Sequence, residues 1–245
     1  MCNDAAMEAA GSPLVILVHG AWHGAWCWTT LQAELDRRGI PSLAVDLPGH
    51  GASIEPYGDL IGDAAALSAL LTKQQRPVVL VGHSYGGAVI SQATAGTAGV
   101  VHHLVYLAAF VPDVGENVIS MSTTMPEAPS ALGGAIKTDE GFSTIDPAAA
   151  RDAFYAHCDP VAAGAFIARL DRQPFATFTQ ETTHASWRST PSTYVVCTDD
   201  AAVHHSHQRL MAERCTHVET LDTDHSPFAS MPVETAEILA RIVRG

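Results

Sequence analysis

Short apolar runs rich in β-branched residues recur along the chain, each bounded by turn residues and followed by a stretch with helical spacing. The first, Leu14-Val15-Ile16-Leu17-Val18, is too short for a helix and too evenly apolar for a strand with one wet face, so it reads as a strand buried on both sides. Residues 42–45, 78–81, 104–107, 193–197 and, more weakly, 217–221 repeat the pattern. Between them the spacing predicts helices near 26–38, 60–73, 86–97 and 201–214. A last helix follows Pro232, where Val233, Ala236, Leu239 and Val243 return on one face. Strand and helix in alternation predict an α/β fold, a mostly parallel sheet with helices on both faces.

The alternation fails between residues 112 and 191, a segment punctuated by Pro126, Pro129, Gly133, Gly134, Pro147, Pro160 and Pro174. Roughly eighty residues are too many for a connection in a compact domain. The expected organisation is therefore a core of 1–111 and 192–245 interrupted by an inserted helical cap, 112–191, with short helices near 147–157 and 160–170. A single core of this size needs no staples, since a chain of 245 residues buries most of the surface its unfolded form exposes.

Charge narrows the partners. Twenty-six Asp and Glu against 13 Lys and Arg give a formal charge of −13, the wrong sign for a surface that neutralises phosphates, so nucleic acid is not expected. No apolar run approaches the ~18 residues of a membrane span, and the N-terminal residues carry no basic, then apolar, leader pattern. The five cysteines are odd in number, widely spaced and without a C-x-x-C pair. A reducing, cytoplasmic setting is expected, with the oligomeric state, a homodimer included, left open.

The most specific chemical signal is Gly82-His83-Ser84-Tyr85-Gly86-Gly87, placed directly after the 78–81 run and directly before a helical stretch. That context gives G-x-S-x-G its meaning: a tight strand-to-helix turn presents the serine hydroxyl at the carboxyl end of the sheet, and flanking glycines leave room for it. A serine hydroxyl attacks only when a base takes its proton and a third group orients the base. Composition cannot choose among 13 histidines, but His225 alone lies after the last strand and before the last helix. The acid comes from Thr198-Asp199-Asp200, after the 193–197 run, with both aspartates as candidates; Asp222 and Asp224 read as turn residues. For an oxyanion the donors are the backbone N–H of Tyr85, next to the nucleophile, and that of Ala21 in the loop His19-Gly20-Ala21-Trp22. His19 is expected to buttress this loop, His83 to pack away from the base position, Trp26 and Trp28 to be core, and Trp22 to be the tryptophan that reaches the pocket. No metal is expected at His204, His205 and His207, because positions two apart on a helix diverge.

Taken together, His19 to Trp28, Asp46 to Gly51, Gly82 to Gly87, Cys197 to Asp200 and Asp224 to Phe228 resemble the α/β-hydrolase superfamily. The resemblance is to the branch of small esterases that holds plant methyl-ester hydrolases, hydroxynitrile lyases and bacterial carboxylesterases. It runs from Leu14 to the last residue and is weakest across 112–191. It implies Ser84 as nucleophile, Asp200 rather than Asp199 as acid, His225 as base, Ala21 and Tyr85 as oxyanion donors, and no cofactor. The lyases of the branch carry a lysine after the histidine and a threonine in the first loop. Here Ser226 and Ala21-Trp22 stand instead, which favours a serine carboxylesterase over a lyase or a ligand-sensing receptor. The expected substrate is a small to medium, uncharged, largely apolar or aromatic ester. The aromatic residues of the cap, Phe142, Phe154, Tyr155, Phe166, Phe175 and Phe178 among them, are expected mostly to form its own core.

Overall fold

A computed structural model describes residues 11–94 and 99–245. Its strands, in chain order, are β1 (Leu14–Val18), β2 (Ser42–Val45), β3 (Val78–His83), β4 (Val101–Leu107), β5 (Ile136–Asp139), β6 (Phe142–Ile145), β7 (Gln173–Pro174), β8 (Ser192–Cys197) and β9 (His217–Leu221). Six of them form one sheet in the order β2-β1-β3-β4-β8-β9, with every neighbouring pair parallel. The chain winds from β1 outward to β2, then returns to lay β3 on β1's other side. A sheet that reverses direction in this way leaves a crevice at the carboxyl ends of the two strands.

The apolar runs are continuous because each strand feeds two cores. Val15, Leu17, Val79 and Val81 pack with Leu31 and Leu35 of the helix Thr29–Arg37 and Leu239 of the helix Pro232–Arg244. Ile16, Val18 and Leu80 point the other way, to Leu60 and Leu67 of the helix Leu60–Leu71 and Val89 of the helix Gly86–Ala93. The observed helices are shorter than their apolar spacing predicts. Thr29–Arg37 is preceded by a 3-10 turn, Ala25–Trp28. Residues 201–203 stay out of the helix His205–Ala212 because the Asp200 carboxylate takes the N–H groups of Ala202 and Val203. The helix expected over 86–97 ends at Ala93, and residues 95–97 of that expectation lie outside the described residues.

Segment 112–191 departs from the expected all-helical composition. Besides the helices Val118–Thr124, Pro147–Phe154 and Pro160–Ile167 it holds an antiparallel sheet, β5-β6-β7. The reason is local: Glu140 and Gly141 adopt φ of 45° and 83°, a two-residue turn of the hand that matches strand twist and closes β5 onto β6. Nor does the segment keep a separate core. Val118, Met121, Phe154 and Phe178 belong to the same buried cluster as Ile16, Leu80 and Tyr106. Among the described residues no helix is long and apolar enough to cross a membrane.

Candidate active site

Ser84 follows the last residue of β3 with φ of 52°, a conformation a non-glycine residue adopts only when its surroundings impose it. They do so here. The Ser84 N–H donates to Leu107 O at 3.3 Å, and its carbonyl accepts from Gly87 N–H at 3.0 Å and Phe110 N–H at 3.1 Å. The turn also leaves no space for side chains on its glycines. A Cβ on Gly82 would stand 2.5 Å from the Gly86 carbonyl oxygen, and one on Gly86 would stand 2.6 Å from that of Val18.

Two further strand ends meet this turn. His225, after β9, lies 2.6 Å through Nδ1 from Asp200 Oδ2, after β8, and both side chains are buried. The carboxylate has no proton to give, so Nδ1–H donates and Nε2 is left as the accepting nitrogen. Asp200 itself is held on both oxygens: Oδ1 accepts from the Ala202 and Val203 N–H groups at 2.7 and 2.8 Å, and Oδ2 accepts from Gln208 Nε2 at 2.8 Å. Asp199 faces elsewhere, half exposed, 3.2 Å from His157 Nε2. Asp224 is a buried turn residue whose carboxylate accepts from Ser226 N–H, Ser230 Oγ and His157 N–H. The ring centroid of His83 lies 4.5 Å from that of His225, the planes tilted by 53°, and its Nε2–H donates to the His225 carbonyl at 2.8 Å. Burial drives the pKa of His83 well down, so it stays neutral and holds the loop without competing as a base.

The first glycine loop packs against the same turn. A Cβ on Gly20 would stand 2.9 Å from His83 Nδ1 and 3.0 Å from Ser84 Cβ. Beside it His19 bridges two strands' loops, donating through Nδ1 to Gly20 O at 2.8 Å and accepting the Leu47 N–H on Nε2 at 3.1 Å. Ala21 and Tyr85 are buried and border the same cavity as Ser84. Tyr85 is anchored from its far end, where its hydroxyl donates to Asp63 at 2.7 Å. Burial raises the Asp63 carboxyl from 3.8 to about 7, ahead of the opposing effect of that hydrogen bond.

The cavity in front of Ser84 has a volume of about 360 Å³. Trp22, Phe110, Met125, Phe175, Phe178 and Val203 supply most of its wall, and no lysine or arginine lines it. Of the aromatic residues expected in the core of the segment, Phe154 and Tyr155 are buried there, whereas Phe175 and Phe178 face the cavity. Trp22 reaches it as expected, and Trp28 is buried core, but Trp26 is only partly buried, under the Arg169 guanidinium. His207 was not legible as a wall residue: its Nε2–H donates to Pro126 O, a partner far away in the chain. His204 accepts the Ser206 N–H and caps its helix. Among the described residues no group of three His, Cys, Asp or Glu is arranged to hold a metal ion.

The model of the alpha/beta hydrolase family matches residues 15–238, and the chain belongs to that family. It is 30% identical over 246 residues to the alpha/beta hydrolase nvfD of Aspergillus novofumigatus, a match covering 95% of each chain. To Methylesterase 7 of Arabidopsis thaliana it is 28% identical over 257 residues, covering 96% of this chain and 98% of that one, in keeping with the resemblance to plant methyl-ester hydrolases. The crystal structure of a pyrethroid hydrolase from Sphingobium faniae shares the fold with a TM-score of 0.80 at 24% identity, over 95% of this chain and 98% of that one.

Proposed function

We propose that this chain hydrolyses carboxylic esters through an acyl-enzyme on Ser84. The observation that carries the reading is the buried His225–Asp200 pair at 2.6 Å, whose loop is hydrogen-bonded to His83, the residue before a strained serine that opens on an apolar cavity. His225 Nε2 takes the Ser84 proton as Oγ adds to the ester carbonyl, and Asp200 stabilises the imidazolium that forms. The N–H groups of Ala21 and Tyr85 receive the oxyanion, each donor of this kind being worth roughly 10²–10³ in turnover. His225 then gives its proton to the leaving alkoxide, and a water molecule, deprotonated in turn by His225, releases the acid.

Substrate class follows from the wall. A volume of about 360 Å³ lies within the range of roughly 300–1,000 Å³ of pockets that bury small organic ligands. With Glu127 and no lysine or arginine among its lining, it favours an uncharged, apolar or aromatic ester. Relatives named as methylesterases support ester hydrolysis as the reaction.

The test is a p-nitrophenyl ester assay with Ser84→Ala beside the wild type. We expect a burst of alcohol, labelling of the wild type by a fluorophosphonate, and a loss of roughly 10⁴-fold or more in kcat for the variant. Undiminished turnover in Ser84→Ala overturns the mechanism, and products other than acid and alcohol overturn the reaction.

A further inference from the structure

The two peptides on either side of Ala21 are each fixed by two hydrogen bonds. The carbonyl of Gly20, on the first peptide, accepts His19 Nδ1–H at 2.8 Å and the His23 N–H at 3.4 Å. On the second peptide the Ala21 carbonyl accepts His23 Nδ1–H at 2.7 Å, and the Trp22 N–H donates to Gln173 Oε1 at 3.1 Å. His19 and His23 belong to the loop itself. Gln173 does not: it comes from β7, in the middle of the inserted segment, and is fully buried. Trp22 meanwhile has φ of 63°, a strained conformation in a non-glycine residue, which must be held by its neighbours.

Gln173 is in turn held on every side. Its Nε2–H donates to Thr177 Oγ1 at 3.1 Å, its carbonyl accepts Ser143 Oγ–H at 3.3 Å, and His50 Nε2 stands 2.8 Å from the same Oε1 that receives Trp22. Ser143 also accepts Trp22 Nε1–H at 3.1 Å, so the residue after Ala21 is gripped through its backbone and its side chain by neighbouring strands of the small sheet. A glutamine buried this completely, with its oxygen shared between the His50 ring and a backbone N–H in a loop against Ser84, does more than fill space.

We infer that Gln173 is a positioning residue for the oxyanion site: it fixes the Ala21–Trp22 peptide, and with it the direction of the Ala21 N–H, from the inserted segment. The segment then completes the reaction centre in addition to walling the cavity. This rests on the acyl-enzyme reading, and the experiment separates the two.

Gln173→Met keeps the volume and removes the acceptor; Gln173→Glu keeps an oxygen facing Trp22 N–H; Thr177→Val frees the Gln173 amide while leaving its oxygen in place. Each is compared with the wild type for kcat and KM on a p-nitrophenyl ester, for inhibition by an aryl trifluoromethyl ketone, and for binding of an ether analogue of the ester that lacks the carbonyl. The ketone forms a tetrahedral adduct with an oxyanion; the ether does not. For Gln173→Met we expect kcat and ketone affinity to fall together by about 10-fold or more, with KM and ether binding nearly unchanged. Gln173→Glu should recover most of the loss, and Thr177→Val should show a smaller loss of the same pattern. Wild-type ketone affinity in Gln173→Met, or equal losses for ketone and ether, overturns the inference. Should Gln173→Met fail to fold, Thr177→Val decides on the same two ratios. Failure of the acyl-enzyme reading shows separately, as a wild type that the ketone does not inhibit and a fluorophosphonate does not label.

Discussion

In the proposed mechanism Asp200 touches no substrate and acts through the hydrogen bond it accepts from His225 Nδ1. Asp200→Asn keeps the shape but offers Nδ1 an amide, so the accepting nitrogen turns away from Ser84, and kcat should fall by roughly 10⁴-fold with KM little changed. Steady-state kinetics check this, with Asp199→Asn near wild type because Asp199 pairs with His157 instead. Asp63 gives a prediction with a pH sign. Its carboxyl rises from 3.8 to about 7 on folding, so between those values the folded chain keeps a proton that the unfolded chain has released. Stability therefore declines as pH rises through that window, by on the order of 4 kcal/mol at the upper end. Asn in its place has no charge to desolvate. The melting temperature of Asp63→Asn should gain on the wild type from pH 5 to pH 8, and a constant difference across that range would refute the assignment. The thiols lead to a third. Cys27 and Cys197 are buried with their pKa values driven well up, and burial also raises Cys158 to about 12 and Cys215 to about 11. Iodoacetamide at pH 8 should leave turnover intact.

Elements show where sequence reading succeeds. Runs such as 14–18 and 78–81 are unambiguous because a strand buried on both faces is apolar at consecutive positions, without the alternation of a half-exposed strand. Ser84, Asp200 and His225 could be placed because each follows one of these strands, so a strand assignment brings its loop to the correct edge of the sheet. The choice between Asp199 and Asp200 was not legible in spacing and came from the resemblance, since adjacent residues at a strand end differ only in the direction they leave it. The sheet β5-β6-β7 was illegible for another reason: Glu140-Gly141 is a weaker hairpin signal than Asn-Gly, and β7 is two residues long. That turn is testable. Gly141→Ala, at φ of 83° with nothing crowding a Cβ, should cost about 1 kcal/mol, a fall of about 2–4 °C in Tm. Glu140→Asn, better suited to φ of 45°, should raise it. Thermal melts decide both.

Across the whole molecule, sheet and inserted segment share one buried cluster. They should therefore unfold together, as a single transition in calorimetry and in circular dichroism, and two resolved transitions would show the segment to be a separate domain. The order β2-β1-β3-β4-β8-β9 has a further consequence, for the birth of the protein. β1 to β4 leave the ribosome first, with the Ser84 turn among them, while Asp200 and His225 arrive on the last two strands. Until β8 is made, β4 presents a bare edge at which another chain can pair, and the whole inserted segment must be synthesised before that edge is covered. Such distant pairings are slow to form. Growth of this chain thus passes through an interval in which it carries the Ser84 turn without its His225–Asp200 partner loops and a sheet without a rim, and aggregation during synthesis competes with completion of the fold.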